Sequence, residues 1–296
     1  MTVRHSEQLT LPELSANPHL CQRWRHRRHS WRRTSEGGFD PDRYTVAVVD
    51  EVANRAFVLE HHYAHSFPAA KLNVGLFDRT APGAPGHPGR HVGALVLSVP
   101  VRASVLTGVL PDLEPYRESA ELGRLVLLDE VAANGETFFV ARALRIAADL
   151  GVVACVAFSD PVRRRNLLTG GIVLPGHIGT VYQAANATYT GRTAPTTKLL
   201  LPDGTVLNSR SLQKVRAQER GAAGVERRLV ALGAPPRDSG DDPSTWLRVA
   251  LQAVQAHHFR HAGMHRYVLV TPRARGHSGA RIALPRQAYP ERSSAA

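Results

Sequence analysis

The chain has 296 residues, of which 43% are hydrophobic, and 37 lysines and arginines face 25 acidic residues. This length and composition can build a sizeable core, which excludes wholesale disorder, and no apolar run is long enough for a membrane span. Only Cys21 and Cys155 are present, without the spacing of a disulfide framework or a zinc ribbon. The N-terminus lacks a signal-peptide core, so we expect a cytoplasmic protein. The net charge of +12 favours a polyanionic partner, which makes nucleic acid the expected ligand.

Residues 1–42 are predicted to form a basic N-terminal arm that is partly helical. Its densest part, at 21–33, is CQRWRHRRHSWRR. A helix here would place Trp24 and Trp31 on one face, because they are seven residues apart. Arg25 and Arg28 are then expected to contact DNA phosphates. The tryptophans would either stack on bases or pack on the body of the protein.

Residues 43–272 have the pattern of one compact α/β domain. The first half shows apolar runs at strand length and one segment at helical spacing, which Asn134 would cap. An apolar run at 56–60 places the following HHY at the end of a strand. The other predicted strands of this half are 43–50, 71–78, 91–101, 121–130 and 151–160, and the helix is 135–150.

The second half is predicted to be less regular. A strand is expected at 177–186, and a hairpin with an Asp-Gly turn at 196–209. A helical insertion follows near 209–262, with Ser244 capping its last helix. A final strand is expected at 265–272. Residues 273–296 are basic and are predicted to be a flexible tail.

This order of elements is similar to that of GNAT acyltransferases, in which a mixed sheet opens in a V-shaped split. The predicted fold class is therefore α/β, with a GNAT-like mixed sheet. The loop DEVAANGET at 129–137 stands where that superfamily carries its Gly-rich pyrophosphate loop, but it lacks the expected Arg/Gln-x-x-Gly-x-Gly/Ala. A helix N-terminus can still bind an anion. Asn134, Glu136 and Thr137 are therefore the predicted donor-binding residues, without the standard acetyl-CoA grip.

Several segments in order resemble a second, narrower group. They include EHHYAHSFPAAKLNVGLF, ELGRLVLLDEVAANGETFFVARAL, VAFSDPVRR, PGHIGTVYQAANATYTGR and LLPDGTVLNSRSLQKVR. Together they resemble the Mom-family DNA modification proteins of bacteriophages, over about residues 43–270. The resemblance implies conversion of adenine in phage DNA to N6-carbamoylmethyladenine inside the bacterial host, which shields the DNA from restriction enzymes. The resemblance does not identify the donor of the added group. An iron requirement is associated with the prototype of that family, so the resemblance implies iron as a cofactor candidate here.

His62 and Tyr63 are the first catalytic candidates, because they match the His-Tyr pair of that family. A neutral imidazole accepts protons near neutral pH, and both groups can ligate iron. Packing of Tyr63 in the core and capping of a turn by His62 are the competing readings. His61 and His65 flank the pair, and at least one of them is expected to be a bystander.

Asp160 and Tyr182 are the other catalytic candidates. Asp160 ends the predicted central strand, where ligands of open α/β sheets collect, and its carboxylate could orient a histidine or join His62 and Tyr63 on a metal. Capping of a turn is the alternative role. Tyr182 could stack on a base or transfer a proton, or it could simply pack in the core. Gln183 and Asn186 could read the edge of adenine.

The remaining candidates are basic. Lys71 is predicted to hold phosphate, and the alternative is a solvated surface lysine. Arg124 is predicted to position phosphate or substrate, and the alternative is a surface ion pair with Glu121. Arg260 is predicted to contact substrate or DNA. His257, His261 and His265 lie four apart, which would form a metal face on a continuous helix, but Gly263 is expected to end that helix.

Three functions remain open from the sequence. The leading one is an adenine-N6 transferase acting on DNA. The second is a GNAT-like N-acyltransferase acting on another amine. The third is a DNA-binding protein without catalytic activity, for which His62, Tyr63 and Asp160 would be replaceable while the arginines of 21–33 would not.

Overall fold

A large mixed β-sheet organises the larger of two units into which the chain divides. The structure is a computed structural model that describes residues 20–64, 66–272 and 280–291. The first unit holds the chain up to Pro161, residues 177–192 and the chain from Met264; the second holds 162–176 and 193–263. The helical insertion expected near 209–262 is therefore part of a larger unit that also includes the two preceding segments.

The strands and helices have the following bounds. The strands are β1 (Leu20–Arg25), β2 (Arg28–Arg33), β3 (Tyr44–Val48), β4 (Ala70–Asp78), β5 (Arg90–Ser98), β6 (Ser119–Leu127), β7 (Ala154–Ser159), β8 (Arg164–Arg165), β9 (Ile172–Leu174), β10 (Thr188–Arg192), β11 (Thr196–Leu200), β12 (Val206–Leu207), β13 (His257–His261) and β14 (His265–Val270). The helices are α1 (Glu51–His61), α2 (Ser104–Thr107), α3 (Gly135–Asp149), α4 (Thr180–Ala184), α5 (Ser209–Arg216), α6 (Ala222–Ala231) and α7 (Pro243–Ala253), with 3-10 turns at Thr34–Glu36 and Pro41–Arg43.

The main sheet has the order β10-β14-β7-β6-β5-β4-β3. Neighbouring strands are antiparallel except for β6 and β7, which are parallel and are connected through α3. Their pairing runs from Ser119 opposite Ala154 to Leu122 opposite Ala157. Beyond that point each strand continues without pairing to the other, so the sheet opens at their carboxyl ends. The predicted α/β class with a mixed sheet is confirmed.

Alternate residues of β7 belong to two different hydrophobic clusters. Cys155 and Ala157 pack in the principal core, to which α1, α3 and α4 contribute. Ala154 and Val156 pack with residues of α2 and of segment 280–284. A strand whose successive side chains are apolar is buried on both faces, which is the central position expected for 151–160.

The basic segment 21–33 is a β-hairpin, and the predicted helix is wrong. Arg23 and Arg25 lie two residues apart, which puts them on one face of a strand rather than of a helix. The two strands are joined at His26 and Arg27, whose φ angles of 45° and 64° are both left-handed, as a two-residue hairpin turn requires. Residues 1–19 of the predicted arm lie outside the described part of the chain.

Three other local predictions are corrected. The run 56–60 lies in α1, which Asp50 caps by accepting a hydrogen bond from the Ala53 amide. The segment 177–186 contains the helix α4 instead of a strand, because Gly179 turns the chain with φ 79°. The last helix is capped by Asp242, which accepts from the Thr245 amide and precedes a proline at the first helical position.

The C-terminal segment 280–291 is hydrogen-bonded to other parts of the first unit, whereas a flexible tail was predicted. The amide of Ala283 donates to the Val109 carbonyl at 2.9 Å, and that of Gln287 donates to the Tyr189 carbonyl at 2.9 Å. The Tyr289 hydroxyl donates to the Ala187 carbonyl at 2.8 Å. These bonds apply to 280–291; residues 273–279 and 292–296 lie outside the described part.

The second unit has a core of its own. A three-stranded sheet of order β12-β11-β13 packs with α5, α6 and α7 around Trp246, whose indole N–H donates to the Pro235 carbonyl at 3.0 Å. The expected hairpin is present as β11 and β12. In none of the described helices, of either unit, is there a stretch long and apolar enough to cross a membrane.

Candidate active site

The opening between β6 and β7 is shaped by a bulge in β6. The register against β5 shifts between Val96, which faces Arg124, and Leu97, which faces Leu122, so Gly123 is the extra residue. A side chain at Gly123 would collide with the Ser98 hydroxyl, which explains the glycine. A bulge re-aims the side chain that follows it, and here that side chain is Arg124.

Arg124 holds the loop that follows α1. Its Nε donates to the Ser66 carbonyl at 3.0 Å and its Nη2 to the Ser66 hydroxyl at 2.8 Å, while Nη1 donates to the Gly123 carbonyl at 2.6 Å. Burial lowers the pKa of Arg124, and Tyr63, Glu121 and Tyr182 oppose that shift. All three guanidinium nitrogens are used within the protein, so Arg124 positions the loop of Tyr63.

His62 and Tyr63 form a stacked pair directly after α1. The His62 amide donates to the Val58 carbonyl at 2.9 Å and closes the helix. Its ring lies 4.2 Å from the Tyr63 ring, at 29°. The His62 Nδ1 accepts from the Ala64 amide at 3.0 Å, so the neutral ring carries its proton on Nε2. His62 follows a helix, and the predicted strand before it is wrong.

Trp24 of the hairpin packs against this pair. The Trp24 ring lies 5.0 Å from the Tyr63 ring; Trp24 belongs to the principal core, and the partly buried Tyr63 packs against it. The tryptophan therefore docks on the body of the protein, which was one of the two expected roles. Through Trp24 the hairpin contacts Tyr63, one of the candidate site residues.

Tyr182 joins the site from α4. Its ring is buried and lies 5.4 Å from the Tyr267 ring. Burial raises the pKa of Tyr182, and Tyr63 and Glu121 raise it further, which places these groups close together. Among the described residues, none forms a hydrogen bond with the Tyr182 hydroxyl. A buried phenol without a protein partner is available to a ligand.

Glu121 supplies a carboxyl group beside these aromatic rings. Burial raises the pKa of Glu121, and only Arg124 opposes the shift. A carboxyl group whose pKa is raised toward neutrality is suited to accept and release a proton. Glu121 lies on the same strand as Arg124, on the other side of the Gly123 bulge.

Asp160 lies just beyond β7 and is paired with His177. The Asp160 carbonyl accepts from the His177 amide at 2.9 Å. Burial lowers the pKa of His177 to about 4, and the Asp160 carboxylate opposes that shift. Asp160 is thus buried beside a neutral histidine at the carboxyl end of a central strand, the position expected from the sequence.

His61 anchors the hairpin turn to α1. Its Nδ1 accepts from the His26 amide at 3.1 Å, and its carbonyl accepts from the Arg27 amide at 3.1 Å. Both left-handed residues of the turn are thereby satisfied by one residue. The expected bystander role of a flanking histidine is replaced by a structural one; His65 lies outside the described residues.

His26, Glu60 and His61 are close enough together to share a metal ion. The His61 Nδ1 accepts a hydrogen bond, so the neutral ring carries its proton on Nε2, the atom 3.7 Å from the Glu60 carboxylate. A ligating nitrogen must be unprotonated. This geometry therefore favours a hydrogen-bonded cluster over a metal centre.

The predicted donor loop is occupied by the hairpin. Arg23 is 0% exposed; its Nε donates to the Val131 carbonyl at 3.2 Å and its Nη2 to the Ala132 carbonyl at 2.8 Å. Its Nη1 forms an ion pair with Glu136. Of the predicted donor residues, Glu136 is thus paired, and the Thr137 hydroxyl donates to the Asn134 carbonyl at 2.9 Å. Asn134 precedes α3 but makes no side-chain cap.

The other predicted binding residues are distributed more widely. Arg25 pairs with Asp129 and Glu130, whereas Arg28 is exposed beside the hairpin turn. Lys71 lies in β4 and opposes the rise to about 12 that burial causes in the pKa of Cys155. The Gln183 side chain donates to the Tyr267 hydroxyl at 3.1 Å. Asn186 is an exposed residue with a left-handed backbone after α4. Arg260 is an exposed residue of β13, in the second unit.

His257, His261 and His265 do not share a helical face, which agrees with the break expected at Gly263. His257 and His261 lie on β13, and His265 begins β14, so a helix joining them is wrong. Sequence reasoning also missed Ser66, Arg23 and the role of His61. Their contacts join segments far apart in the chain, and no local pattern reveals such pairs.

The arrangement of strands in the main sheet defines the class of protein. A seven-stranded mixed sheet whose parallel pair, β6–β7, opens at its carboxyl end makes the first unit a mixed α/β fold. The family model described as the Mom protein family matches residues 43–291. The chain therefore belongs to the Mom protein family. No curated protein matches the chain.

Solved structures similar to the chain are N-acetyltransferases. A candidate phosphinothricin N-acetyltransferase is 12% identical, covering 53% of this chain and 86% of its own, at a TM-score of 0.28. The GNAT-family N-acetyltransferase YhbS of Escherichia coli, in complex with CoA, is 16% identical, covering 42% and 68%, at 0.27. A tandem GNAT protein from the clavulanic acid biosynthesis pathway is 13% identical, covering 81% and 83%, at 0.31. Scores this low carry no argument about function.

Proposed function

We propose that the chain is a DNA-modifying transferase that converts adenine to N6-carbamoylmethyladenine in phage DNA and so protects that DNA from host restriction. The observation that carries the proposal is the gathering of Tyr63, Glu121 and Tyr182 at the sheet opening of a chain that belongs to the Mom protein family. The net charge of +12 suits a DNA partner.

The reaction requires groups of this kind. The lone pair of adenine N6 is delocalised into the ring, so forming a bond from N6 to carbon requires removal of an N6 proton. The base must also leave the stack, which favours aromatic surfaces in the pocket. Tyr63 and Tyr182 supply rings, and Glu121, with its raised pKa, is suited to accept the proton.

His62 fits a different role from proton acceptor. Because its Nδ1 accepts from the Ala64 amide, its neutral ring can donate from Nε2. That donor is suited to hold an oxygen or ring nitrogen of the substrate. The Asp160 carboxylate, which acts on the His177 ring electrostatically, would keep that histidine oriented.

Iron is not used in this proposal, because the His62 Nδ1 already accepts a hydrogen bond from the Ala64 amide and the neutral ring then carries its proton on Nε2. Among the described histidines, cysteines and acids, the one group close enough to share an ion is His26, Glu60 and His61. It includes neither His62 nor Asp160. No step is therefore assigned to a metal.

The N-acyltransferase alternative is disfavoured at the donor loop. Arg23 occupies the carbonyls of Val131 and Ala132 and pairs with Glu136. A pyrophosphate would need the amides of this loop, but the Val131 amide donates to the Leu128 carbonyl and the Gly135 amide to the Ala132 carbonyl, each at 3.2 Å. Binding of acyl-CoA by the purified protein would reverse this preference.

Nucleoside mass spectrometry tests the proposal. DNA from cells expressing the wild-type chain should contain adenine carrying a carbamoylmethyl group, and Glu121→Gln should lower its amount at least tenfold. Arg145→Lys, on the exposed face of α3, is the matched control. Unmodified adenine with confirmed expression would overturn the proposal. Full modification by a chain that carries His62→Ala, Tyr63→Phe and Glu121→Gln together would show that other residues perform the catalysis.

A further inference from the structure

Two fully buried polar atoms beside the site have no hydrogen-bond partner. They are the hydroxyl of Ser159, which is 0% exposed, and Nε2 of His265, which is 1% exposed. Ser159 ends β7 and His265 begins β14. Buried polar groups are nearly always paired, so two atoms without a protein partner at one place are suited to a shared bound group.

The two residues face the same side of the sheet. Ser159 and His265 are direct partners in the antiparallel β7–β14 pair, and partners of this kind share a face. The Ser159 hydroxyl also lies beside Tyr182. A Cβ on Gly179 would be 2.9 Å from both the Ser159 Oγ and the Tyr182 Cδ2. The unpaired atoms are therefore next to the proposed site and not in a separate part of the core.

The hydrogen bond from Tyr189 determines what His265 offers. The Arg192 guanidinium opposes the rise that burial causes in the pKa of the Tyr189 phenol, and a cation there attracts the lone pairs of the phenol oxygen rather than its proton. The Tyr189 hydroxyl lies 2.8 Å from the His265 Nδ1, and its proton is then directed to that nitrogen. A neutral histidine that accepts at Nδ1 carries its proton on Nε2. His265 thus presents an N–H donor without an acceptor.

The neutral state of His265 is consistent with its surroundings. Burial lowers the pKa of His265 to about 4, and Arg192 and His177 lower it further. The neighbouring Tyr267 is not available to a ligand. Its hydroxyl donates to the Ile178 carbonyl and accepts from the Gln183 side chain.

We propose that Ser159 and His265 form a subsite that binds one carbonyl-type oxygen, of a carboxamide or a carboxylate, in the substrate that supplies the transferred group. The Ser159 hydroxyl and the His265 Nε2–H would donate to that oxygen together, as paired donors do in oxyanion-type sites. The assignment of that oxygen to the group-supplying substrate rests on the proposed function. The presence of an oxygen-binding pair does not.

Binding of small probes tests the subsite directly. Protein labelled with ¹⁵N in histidine is titrated with acetamide, with acetate and with ethylammonium chloride, and His265→Asn assigns the signal. The His265 Nε2–H resonance should move and saturate with acetamide or acetate, and the stronger of the two tells a carboxamide site from a carboxylate site. Ethylammonium has no acceptor and should leave it unchanged. A resonance that ignores all three probes, or follows all equally, overturns the proposal.

Substitutions test its part in the reaction. Ser159→Ala and His265→Asn should each slow DNA modification about tenfold, the loss of one hydrogen bond to substrate. His265→Gln, which can bring an amide N–H near the Nε2 position, should recover part of that loss. Ser159→Ala should unfold at the same temperature as wild type, because the hydroxyl has no partner in the fold.

A buried serine elsewhere provides the control. The Ser119 hydroxyl, at the other end of the β6–β7 pair, donates to the Glu114 carbonyl, and Ser119→Ala should leave the modification rate unchanged. Wild-type rates in both Ser159→Ala and His265→Asn would overturn the proposal. If the wild type modifies no DNA, the proposed function fails, while the probe titration still decides the subsite.

Discussion

Two buried tyrosines that touch one another have opposite hydrogen-bonding states. The Tyr267 hydroxyl donates to the Ile178 carbonyl and accepts from Gln183, and burial raises the pKa of Tyr267 to about 12. The Tyr182 hydroxyl forms no hydrogen bond with any described residue. One side chain is therefore committed to the fold, and the other is open to a substrate.

This contrast predicts different outcomes for the same substitution. Tyr182→Phe should abolish most DNA modification and leave the free energy of unfolding unchanged. Tyr267→Phe should lower that free energy by about 1–2 kcal/mol, because the Gln183 amide and the Ile178 carbonyl lose their partner. Urea unfolding and nucleoside mass spectrometry on both variants check this. Equal stability losses would show that the Tyr182 hydroxyl also has a hydrogen-bond partner within the fold.

At the residue scale, the sequence was informative where chemistry is carried by unusual side chains in one segment. His62, Tyr63, Asp160 and Tyr182 were selected in that way. The partners that define what these groups can do were not predictable. Whether His62 accepts or donates depends on the Ala64 amide, and the pairing of Ser159 with His265 depends on the register of two strands distant in the chain.

At the element scale, one histidine determines how the hairpin is held. The turn between β1 and β2 puts His26 and Arg27 in the left-handed region. Because neither residue is glycine or asparagine, this backbone conformation is strained. His61 accepts a hydrogen bond from each of their amides. Burial lowers the pKa of His61, with His26 and Arg25 lowering it further and Glu60 opposing. The docked hairpin therefore requires the neutral ring.

The hairpin should loosen at mildly acidic pH. Because the pKa of His61 in the folded state lies below its ordinary 6.5, the stabilisation is complete above that pH and is lost as the pH falls through and below it. Hydrogen exchange of 20–33 should show less protection at about pH 5.5 than at about 7.5. His61→Asn, whose side-chain oxygen can replace Nδ1 as acceptor without titrating, should remove the difference. The same loss in that variant would contradict the assignment.

Strands and helices with strong local patterns were predictable, and those decided by tertiary contacts were not. The apolar alternation of β3–β7 and the helical spacing of α3 were enough to find these elements. The basic hairpin was not, because its arginines are satisfied by the loop before α3. Nor was the strand–loop–strand arrangement around Gly263, where the carbonyl of Thr193 leaves no room for a side chain.

At the scale of the whole molecule, the positive charge is only partly available to DNA. Arg23 and Arg25 form ion pairs with acidic residues of the protein, and Arg32 donates to a backbone carbonyl. Arg28, beside the hairpin turn, is exposed, and among the described residues it has no ion-pair partner. The net charge therefore overstates the basic surface, and the sequence could not tell paired arginines from exposed ones.

Arg28 should contribute to DNA binding through a phosphate contact. Arg28→Ala should weaken binding at low salt and reduce the slope of log K against log salt by about 0.9. Arg117→Ala is the control, because Arg117 is paired with Glu114 at 2.8 Å. Fluorescence anisotropy with duplex DNA over a range of salt concentrations measures both. An unchanged slope for Arg28→Ala would place the DNA elsewhere.

The hairpin precedes the residues that define the family. The match to the Mom protein family begins at residue 43, yet Trp24 packs on Tyr63 and Arg23 fills the loop before α3. A chain cut back to its family-matched segment would expose the Tyr63 ring to water and leave Glu136 without its cation. A shortened chain that keeps the Trp24–Tyr63 contact, the Arg23–Glu136 ion pair and the whole of β1 must therefore begin no later than Leu20, upstream of the family match.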